Sequence, residues 1–162
     1  MKTFEELKEE LLNRAKNANA CQNGYKMGLD AKNKADLLKA ITANWFWVLI
    51  DARIVDAIYL EENFTEEELS EAGIYTRKCH EVRAVSFACD SATVRACDSA
   101  TVRAYGSATV KAYDSATVEA YDESYVEDCT GNIRPRYDYA IVKDYHNHKI
   151  YIRKGKFEII EV

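Results

Sequence analysis

The sequence predicts an α+β fold, with a helical N-terminal cap followed by a short β-solenoid of eight-residue repeats and a C-terminal β-hairpin cap. Three observations predict it: apolar residues at helical spacing near the start, an eight-residue repeat that begins at Ala88, and short strand-like runs separated by turn residues at the end. The chain has 162 residues, enough for one domain or two small ones. We divide it into a helical region over 1–75, solenoid repeats over 76–145 and a β cap over 146–162.

The helical region is predicted from its helix starts. Thr3 followed by Glu6 is a capping box, in which each side chain accepts a hydrogen bond from the other residue's backbone amide. The same pattern recurs at Thr65 and Glu68. Leucines at helical spacing follow the first box, which indicates a helix with one apolar face.

The most apolar stretch of the chain, WFWVLIDARIVDAIYL, covers residues 45–60. Its length favours a buried helix, with Asp51, Arg53 and Asp56 on the wetter side. A strand over 46–50 is the alternative, because short apolar runs do not distinguish the two structures.

The central region repeats the pattern A-(C/Y)-(D/G)-S-A-T-V-(R/K/E). Ala92, Val94 and Ala96 alternate with Thr93 and Arg95, and a period of two is typical of a strand with one buried face. The Asp-Ser and Gly-Ser pairs between these runs are turn formers. Each repeat is therefore one strand and one corner, and a fixed period of such units predicts a solenoid.

The repeat extends beyond its obvious copies. A step of eight meets only Cys or Tyr, at Cys89, Cys97, Tyr105, Tyr113, Tyr121, Cys129, Tyr137 and Tyr145. The stretch from Asp128 to Pro135 is a degenerate repeat that keeps the register. In a solenoid the small interior residues stack on their own copies, so the outward positions form ladders of one residue type.

The number of repeats in one coil is open between two and three. Two would pair positions sixteen apart, so that Arg95 meets Lys111, whereas three would pair positions twenty-four apart, so that Arg95 meets Glu119. Neighbouring opposite charges stabilise strands by about 0.2–1 kcal/mol and like charges destabilise them. The charges favour three repeats, while the small interior residues suit a thin two-sided coil equally well.

Composition excludes several classes of protein. A net charge of −5 and a pI near 5.3 disfavour general binding of polyanions, although a local basic patch remains open. We expect no transmembrane helix and no signal peptide, since no long apolar run occurs and the start is acidic and polar. Five cysteines without a disulfide-module spacing indicate a reducing compartment.

The repeats over 88–127, and more weakly the segment ACQNG over 20–24, resemble a loose group of uncharacterised bacterial and phage proteins. These proteins carry A-T-V-x-A-Y-G/D-S repeats behind a short helical segment. The resemblance implies a β-solenoid and a phage or mobile-element setting, hence the cytoplasm of a bacterial host. It implies no particular activity.

The tyrosine ladder gives the first candidate site. The ladder could contact a partner, because tyrosine combines a large ring with a polar tip. Its members are Tyr105, Tyr113, Tyr121, Tyr137 and Tyr145, and the first three are the main candidates. The alternative is that the rings sit at the corners and pack on one another for stability.

Acidic residues give the second candidate site, because an acidic surface can mimic the phosphates of a nucleic acid and block a basic channel. The candidate contacts are Asp114, Glu119, Asp122, Glu123 and Glu127 in the repeats, and Glu66 and Glu67 in the helical region. The alternative is ordinary solvated surface.

No catalytic or metal site is predicted. The aspartates at the start of each corner lack the adjacent glycines of calcium-binding repeats, so we interpret them as turn formers. His146 to His148 is read as a hairpin turn rather than a nuclease motif. Nucleophile–base pairs, phosphate loops and metal-ligand spacings do not stand out, so we expect no enzyme activity and no cofactor.

These observations favour a non-catalytic protein that binds another macromolecule, with a protein as the partner. Given the resemblance, the sharpest version is a phage-type inhibitor that occludes a host nuclease or other nucleic-acid-targeting defence complex. Membrane attachment and direct nucleic-acid binding are not expected. The alternative is a structural solenoid that associates with itself as a homo-oligomer.

Overall fold

The computed structural model describes residues 2–77, 79–137 and 139–160 of the chain. The chain divides into two compact units, Met1–Ala72 and Gly73–Val162. The first unit is helical, and the second is a β-solenoid that ends in an antiparallel hairpin. The predicted α+β fold is confirmed.

The helical unit begins where the capping boxes predict. Both boxes are formed, at Thr3 with Glu6 and at Thr65 with Glu68. The helices are α1 (Phe4–Asn17), α2 (Gln22–Asp30), α3 (Lys34–Ala43), a π-helix (Phe46–Asp51), α4 (Ala57–Asn63) and α5 (Glu66–Glu71). Leu7, Leu38 and Leu60 are among the fully buried residues of this unit.

The single buried helix predicted over 45–60 is wrong, and so is the alternative strand. The π-helix ends at Asp51, and Arg53 adopts a left-handed backbone conformation with φ of 47°. Asp56 is extended, and its carboxylate accepts a hydrogen bond from the backbone amide of Tyr59 at 2.7 Å, which begins α4. The charged residues that the prediction placed on a wet helix face instead form the break between two helices.

The solenoid consists of short strands that alternate between two sheets. They are β1 (Ile74–Tyr75), β2 (Cys79–Val82), β3 (Val85–Ala88), β4 (Thr93–Ala96), β5 (Thr101–Ala104), β6 (Thr109–Ala112), β7 (Thr117–Ala120), β8 (Tyr125–Asp128), β9 (Ile141–Asp144) and β10 (Lys149–Tyr151). One sheet has the order β1-β3-β5-β7 and the other β10-β9-β8-β6-β4-β2. All pairs are parallel except β9 with β10, which form the C-terminal hairpin.

Each coil contains two repeats. Thr93 pairs with Thr109, sixteen residues later, and Arg103 pairs with Glu119 at the same separation. The three-repeat coil favoured by the charges is therefore wrong. Opposite charges also meet at a separation of sixteen residues, so the charge pattern does not distinguish two repeats per coil from three. The structure accommodates the like-charged pair of Arg95 and Lys111 on neighbouring strands.

The solenoid interior is narrow because it is built from valine and alanine. The valines of one sheet stack directly on each other and are fully buried: Val94, Val110, Val126 and Val142. Complete burial of one such side chain contributes about 1.5–3 kcal/mol relative to exposure. The repeated sequence thus builds a core from copies of one contact.

The corners explain the choice of Asp or Gly in the repeat. Asp90, Asp98, Asp114 and Asp122 have φ between 48° and 55°, and Gly106 occupies the same place with φ of 63°. Glycine adopts this left-handed region readily, and asparagine and aspartate tolerate it better than most other residues. The interpretation of these aspartates as turn formers is confirmed.

The corner carboxylates also join successive coils. Asp114 accepts a hydrogen bond from the backbone amide of Asp98 at 3.1 Å, and Asp122 accepts one from Gly106 at 3.1 Å. Each donor lies sixteen residues before its acceptor. The aspartates therefore tie one coil to the coil before it.

The degenerate repeat is organised by a buried carboxylate. Asp128 is fully buried at a position where the preceding coil has Ala112. It accepts hydrogen bonds from the backbone amides of Thr130, Gly131 and Ile133 at 2.7, 3.0 and 2.9 Å. The chain then returns to register, with Tyr125 to Asp128 paired with residues sixteen later, as the eight-residue step predicted.

Replacing Asp114 by Ala should destabilise the protein by about 1–3 kcal/mol, because Ala disfavours the left-handed corner and removes the bond to Asp98. Asp114→Gly keeps the conformation accessible and loses only the bond, so it should be about 1 kcal/mol less destabilising. Urea unfolding of the two variants measures the difference. Equal losses would show that the backbone conformation at this corner does not matter.

Candidate functional site

The six-stranded sheet presents a regular outer face. We use this name for two rows of outward side chains: Thr93, Thr109, Tyr125 and Ile141 in one, and Arg95, Lys111, Glu127 and Lys143 in the other. All eight are exposed or half-exposed. Because the strands are in register, neighbours within a row are separated by about 4.8 Å. The face is therefore a fixed grid of side chains.

Tyr113 lies at the corner beside this face and accommodates two neighbouring cations. Its ring centroid is 5.3 Å from Arg95 Cζ and 5.9 Å from Lys111 Nζ. Lys111 Nζ is also 3.0 Å from Glu127 Oε2, and bonding to Glu127 first and Tyr113 second raises the pKa of Lys111. The attraction of a ring for cations offsets the repulsion between Arg95 and Lys111.

A second tyrosine repeats this arrangement farther along the solenoid. Lys143 Nζ is 4.6 Å from the ring centroid of Tyr145, and bonding to Tyr145 raises the pKa of Lys143. Partial burial raises the pKa of Tyr125, which lies in the neighbouring row, on the strand between those of Lys111 and Lys143. The outer face thus combines cations with tyrosines whose positions are set by neighbouring strands.

The tyrosine ladder separates into two columns, because alternate repeats lie at opposite corners. In one column Tyr105 and Tyr121 are only 3% and 7% exposed. The Tyr105 hydroxyl donates to the Cys89 thiol, and the Tyr121 ring packs on Tyr137 with centroids 4.9 Å apart. Burial raises the pKa of both tyrosines. Neither ring is available as a surface contact, which leaves Tyr113, Tyr137 and Tyr145 of the predicted ladder.

Two of the predicted acidic contacts are paired with cations of the solenoid itself. Glu119 lies 2.9 Å from Arg103 and 3.1 Å from Arg136, on the four-stranded sheet. Glu127 is bound to Lys111 on the outer face. These carboxylates are matched locally, so they do not form an acidic surface of the kind that mimics phosphates.

The remaining acidic candidates are scattered over different elements. Asp114 and Asp122 are bound to backbone amides at the corners, and Glu123 is an exposed corner residue. Glu66 and Glu67 are exposed in the first turn of α5, in the helical unit. Residues 73–162 contain equal numbers of acidic and basic side chains, so the net charge of −5 belongs to residues 1–72.

Sequence reasoning missed most of the outer face. Arg95, Lys111, Lys143 and Tyr125 were visible in the sequence but were not grouped with the tyrosine ladder, because the grouping depends on a separation of sixteen residues. With two repeats in each coil, Arg95 lies beside Lys111, and Tyr113 follows Lys111 by two residues. The sequence then predicts that both cations can contact the ring of Tyr113.

The described residues give no sign of a metal centre or a membrane span. Among them, no three His, Cys, Asp or Glu side chains converge as ligands for a metal ion. None of the helices in the described ranges combines the length and apolar character needed to cross a bilayer.

Comparison of this chain with models of protein families, with curated proteins and with solved structures finds no match.

The shared ring predicts energetic coupling between Arg95 and Tyr113. Tyr113→Ser should destabilise the wild-type protein by about 0.5–1 kcal/mol, because the two cations lose the ring between them. In an Arg95→Ser background the same change should cost less. Urea unfolding of the double-mutant cycle measures the coupling. Thr117→Ser, on the four-stranded sheet, should cost the same in both backgrounds, and equal costs for Tyr113→Ser would contradict the role of the ring.

Proposed function

We propose that this chain is a non-catalytic binding protein and that its outer face docks onto another protein. The observation that carries the proposal is the fixed grid of half-exposed cations and tyrosines on the six-stranded sheet. Arginine and tyrosine are enriched in the energetically dominant parts of protein interfaces. Their presence in ordered rows supports recognition rather than catalysis.

The rigidity of the face supports tight binding. Its strands are hydrogen-bonded to neighbours on both sides over β4, β6, β8 and β9. Lys111 is held by Glu127 and Tyr113, and Lys143 by Tyr145. Side chains already ordered in the free protein lose less entropy on binding. The solenoid therefore holds these side chains in position before a partner binds.

The charge of the outer face defines the partner. Three cations, Arg95, Lys111 and Lys143, accompany one anion, Glu127. A complementary protein surface is acidic or rich in carbonyl and hydroxyl acceptors, and its association should weaken as salt screens the attraction. This proposal replaces phosphate mimicry by the solenoid, because the acidic side chains of the repeats have partners of their own.

The sharper proposal is an inhibitor of phage origin that acts in the cytoplasm of a bacterial host. It rests on the resemblance of the eight-residue repeats to bacterial and phage proteins. The inhibitor would occlude a nucleic-acid-targeting defence complex by covering a protein surface with the outer face. No chemical step is required of it.

A second candidate function is self-association. The hairpin strand β10 is the last strand of the six-stranded sheet, and its Ile150 is 64% exposed. A terminal strand offers unpaired backbone groups that a second copy can use. Sedimentation at increasing protein concentration separates this candidate from the first, since only self-association shifts the protein to larger species without a partner.

The binding proposal predicts the effect of changing two side chains of the outer face. The protein, immobilised, should capture a stoichiometric partner from bacterial lysate, and Tyr125→Ser with Lys143→Ser should raise the Kd of the purified pair at least tenfold. The matched control, Thr101→Ala with Thr117→Ala on the four-stranded sheet, should leave the Kd unchanged. Calorimetry at two salt concentrations measures both.

Two outcomes would overturn the proposal. The first is a partner whose Kd responds to the control and not to the outer-face variant. The second is the recovery of no partner together with concentration-dependent assembly, which would favour the structural role.

A further inference from the structure

The helical unit contains an apolar cavity of about 340 Å³. It lies among α1, α2, α3 and the π-helix, with Leu11, Leu37, Ile41, Trp47 and Val48 in its lining. Cavities of this size are at the lower end of the range that holds small molecules. The cavity is partly open to solvent, so a small molecule can enter it from the surface.

The lining of the cavity selects an uncharged ligand. Every described residue that lines it is neutral, and most are aliphatic. A charged group placed there would lose its hydration without gaining a counter-charge. Tyr25 and Trp47 are among the lining residues, and aromatic side chains favour an aromatic ligand through edge and face contacts.

Helix α2 borders the cavity through its two glycines and Tyr25. None of its side chains is buried, and Met27 and Leu29 are 38% and 52% exposed. Its two glycines, Gly24 and Gly28, line the cavity. A Cβ atom added at Gly28 would lie 3.3 Å from Leu12 Cδ2, and one added at Gly24 would lie 3.0 Å from Asn44 Oδ1. The two glycines therefore let neighbouring side chains of the cavity lining approach the α2 backbone closely, although each glycine in a helix costs about 0.5–1 kcal/mol relative to alanine.

The π-helix provides an independent indication of a binding site. The backbone amide of Ala52 donates to the carbonyl of Trp47 at 2.8 Å, five residues earlier. Such wide turns are rare and occur frequently at functional sites. Here the wide turn belongs to the segment that places Trp47 and Val48 in the cavity lining.

We propose that the helical unit binds a small uncharged aromatic molecule, of the size of a substituted benzene, in the cavity beneath α2. The ligand fills the space between α1, α3 and the π-helix and supplies the packing that α2 lacks. The site lies within residues 1–72 and is separate from the binding proposed for the outer face.

The test uses the full chain labelled with ¹⁵N and n-butylbenzene as the probe. Saturable shifts are expected at the amides of Gly24 and Gly28, with a rise in melting temperature that grows with probe concentration. The charged analogue 4-butylbenzoate should bind at least tenfold more weakly. No saturable shift up to the solubility limit of n-butylbenzene, or equal binding of the benzoate, would overturn the proposal.

A variant with a larger side chain in the cavity lining tests where the probe binds. Gly28→Leu adds a side chain beside Leu12 in the cavity lining and should abolish the shifts, whereas Ala43→Leu, at the exposed end of α3, should preserve them. Alkylation of cysteines in the wild-type protein tests the same point if Gly28→Leu does not fold. The exposed thiol of Cys21 also lines the cavity, so bound probe should slow its alkylation relative to Cys97. An unchanged ratio of the two rates, or shifts that persist in folded Gly28→Leu, would place the probe elsewhere.

Discussion

In-register stacking of identical small residues is the constraint on which the solenoid depends. At a separation of sixteen, valine lies on valine from Val94 to Val142 and alanine lies on alanine from Ala88 to Ala120, which keeps the interior narrow. Because this stacking fixes each strand relative to the next, it also fixes every outward position. The rows of the outer face, the two tyrosine columns and the corner aspartates are consequences of the same register.

Much of the fold was predictable because its signals are local. The period of two within each repeat predicts a strand, the Asp-Ser pairs predict corners, and the Thr3 and Thr65 boxes predict helix starts. The number of repeats per coil was not predictable from charge, because Arg103 meets Glu119 at sixteen just as Arg95 would at twenty-four. The sites depend on that number. Burial of Tyr105 and exposure of Tyr145 follow from which corner each one occupies.

The two units offer different physical means of binding. The solenoid is neutral as a whole, and its contacts are held by strand pairing on both sides. The helical unit carries the excess negative charge, and its helix α2, which has no buried side chain, borders an apolar cavity. A rigid surface suits recognition of a large partner with little rearrangement, whereas a helix that lacks buried side chains can adapt to a small ligand. The two proposals therefore do not compete for the same residues.

The alternation of repeats between two sheets restricts how the protein can change length in evolution. Loss or gain of one eight-residue repeat would move every later strand to the opposite sheet, and Lys143 and Tyr125 would then leave the outer face. Loss or gain of two repeats removes or adds one whole coil and preserves the face. Insertions and deletions in this gene are therefore expected to be tolerated in steps of forty-eight nucleotides, the coding length of one sixteen-residue coil, and single-repeat changes to be selected against.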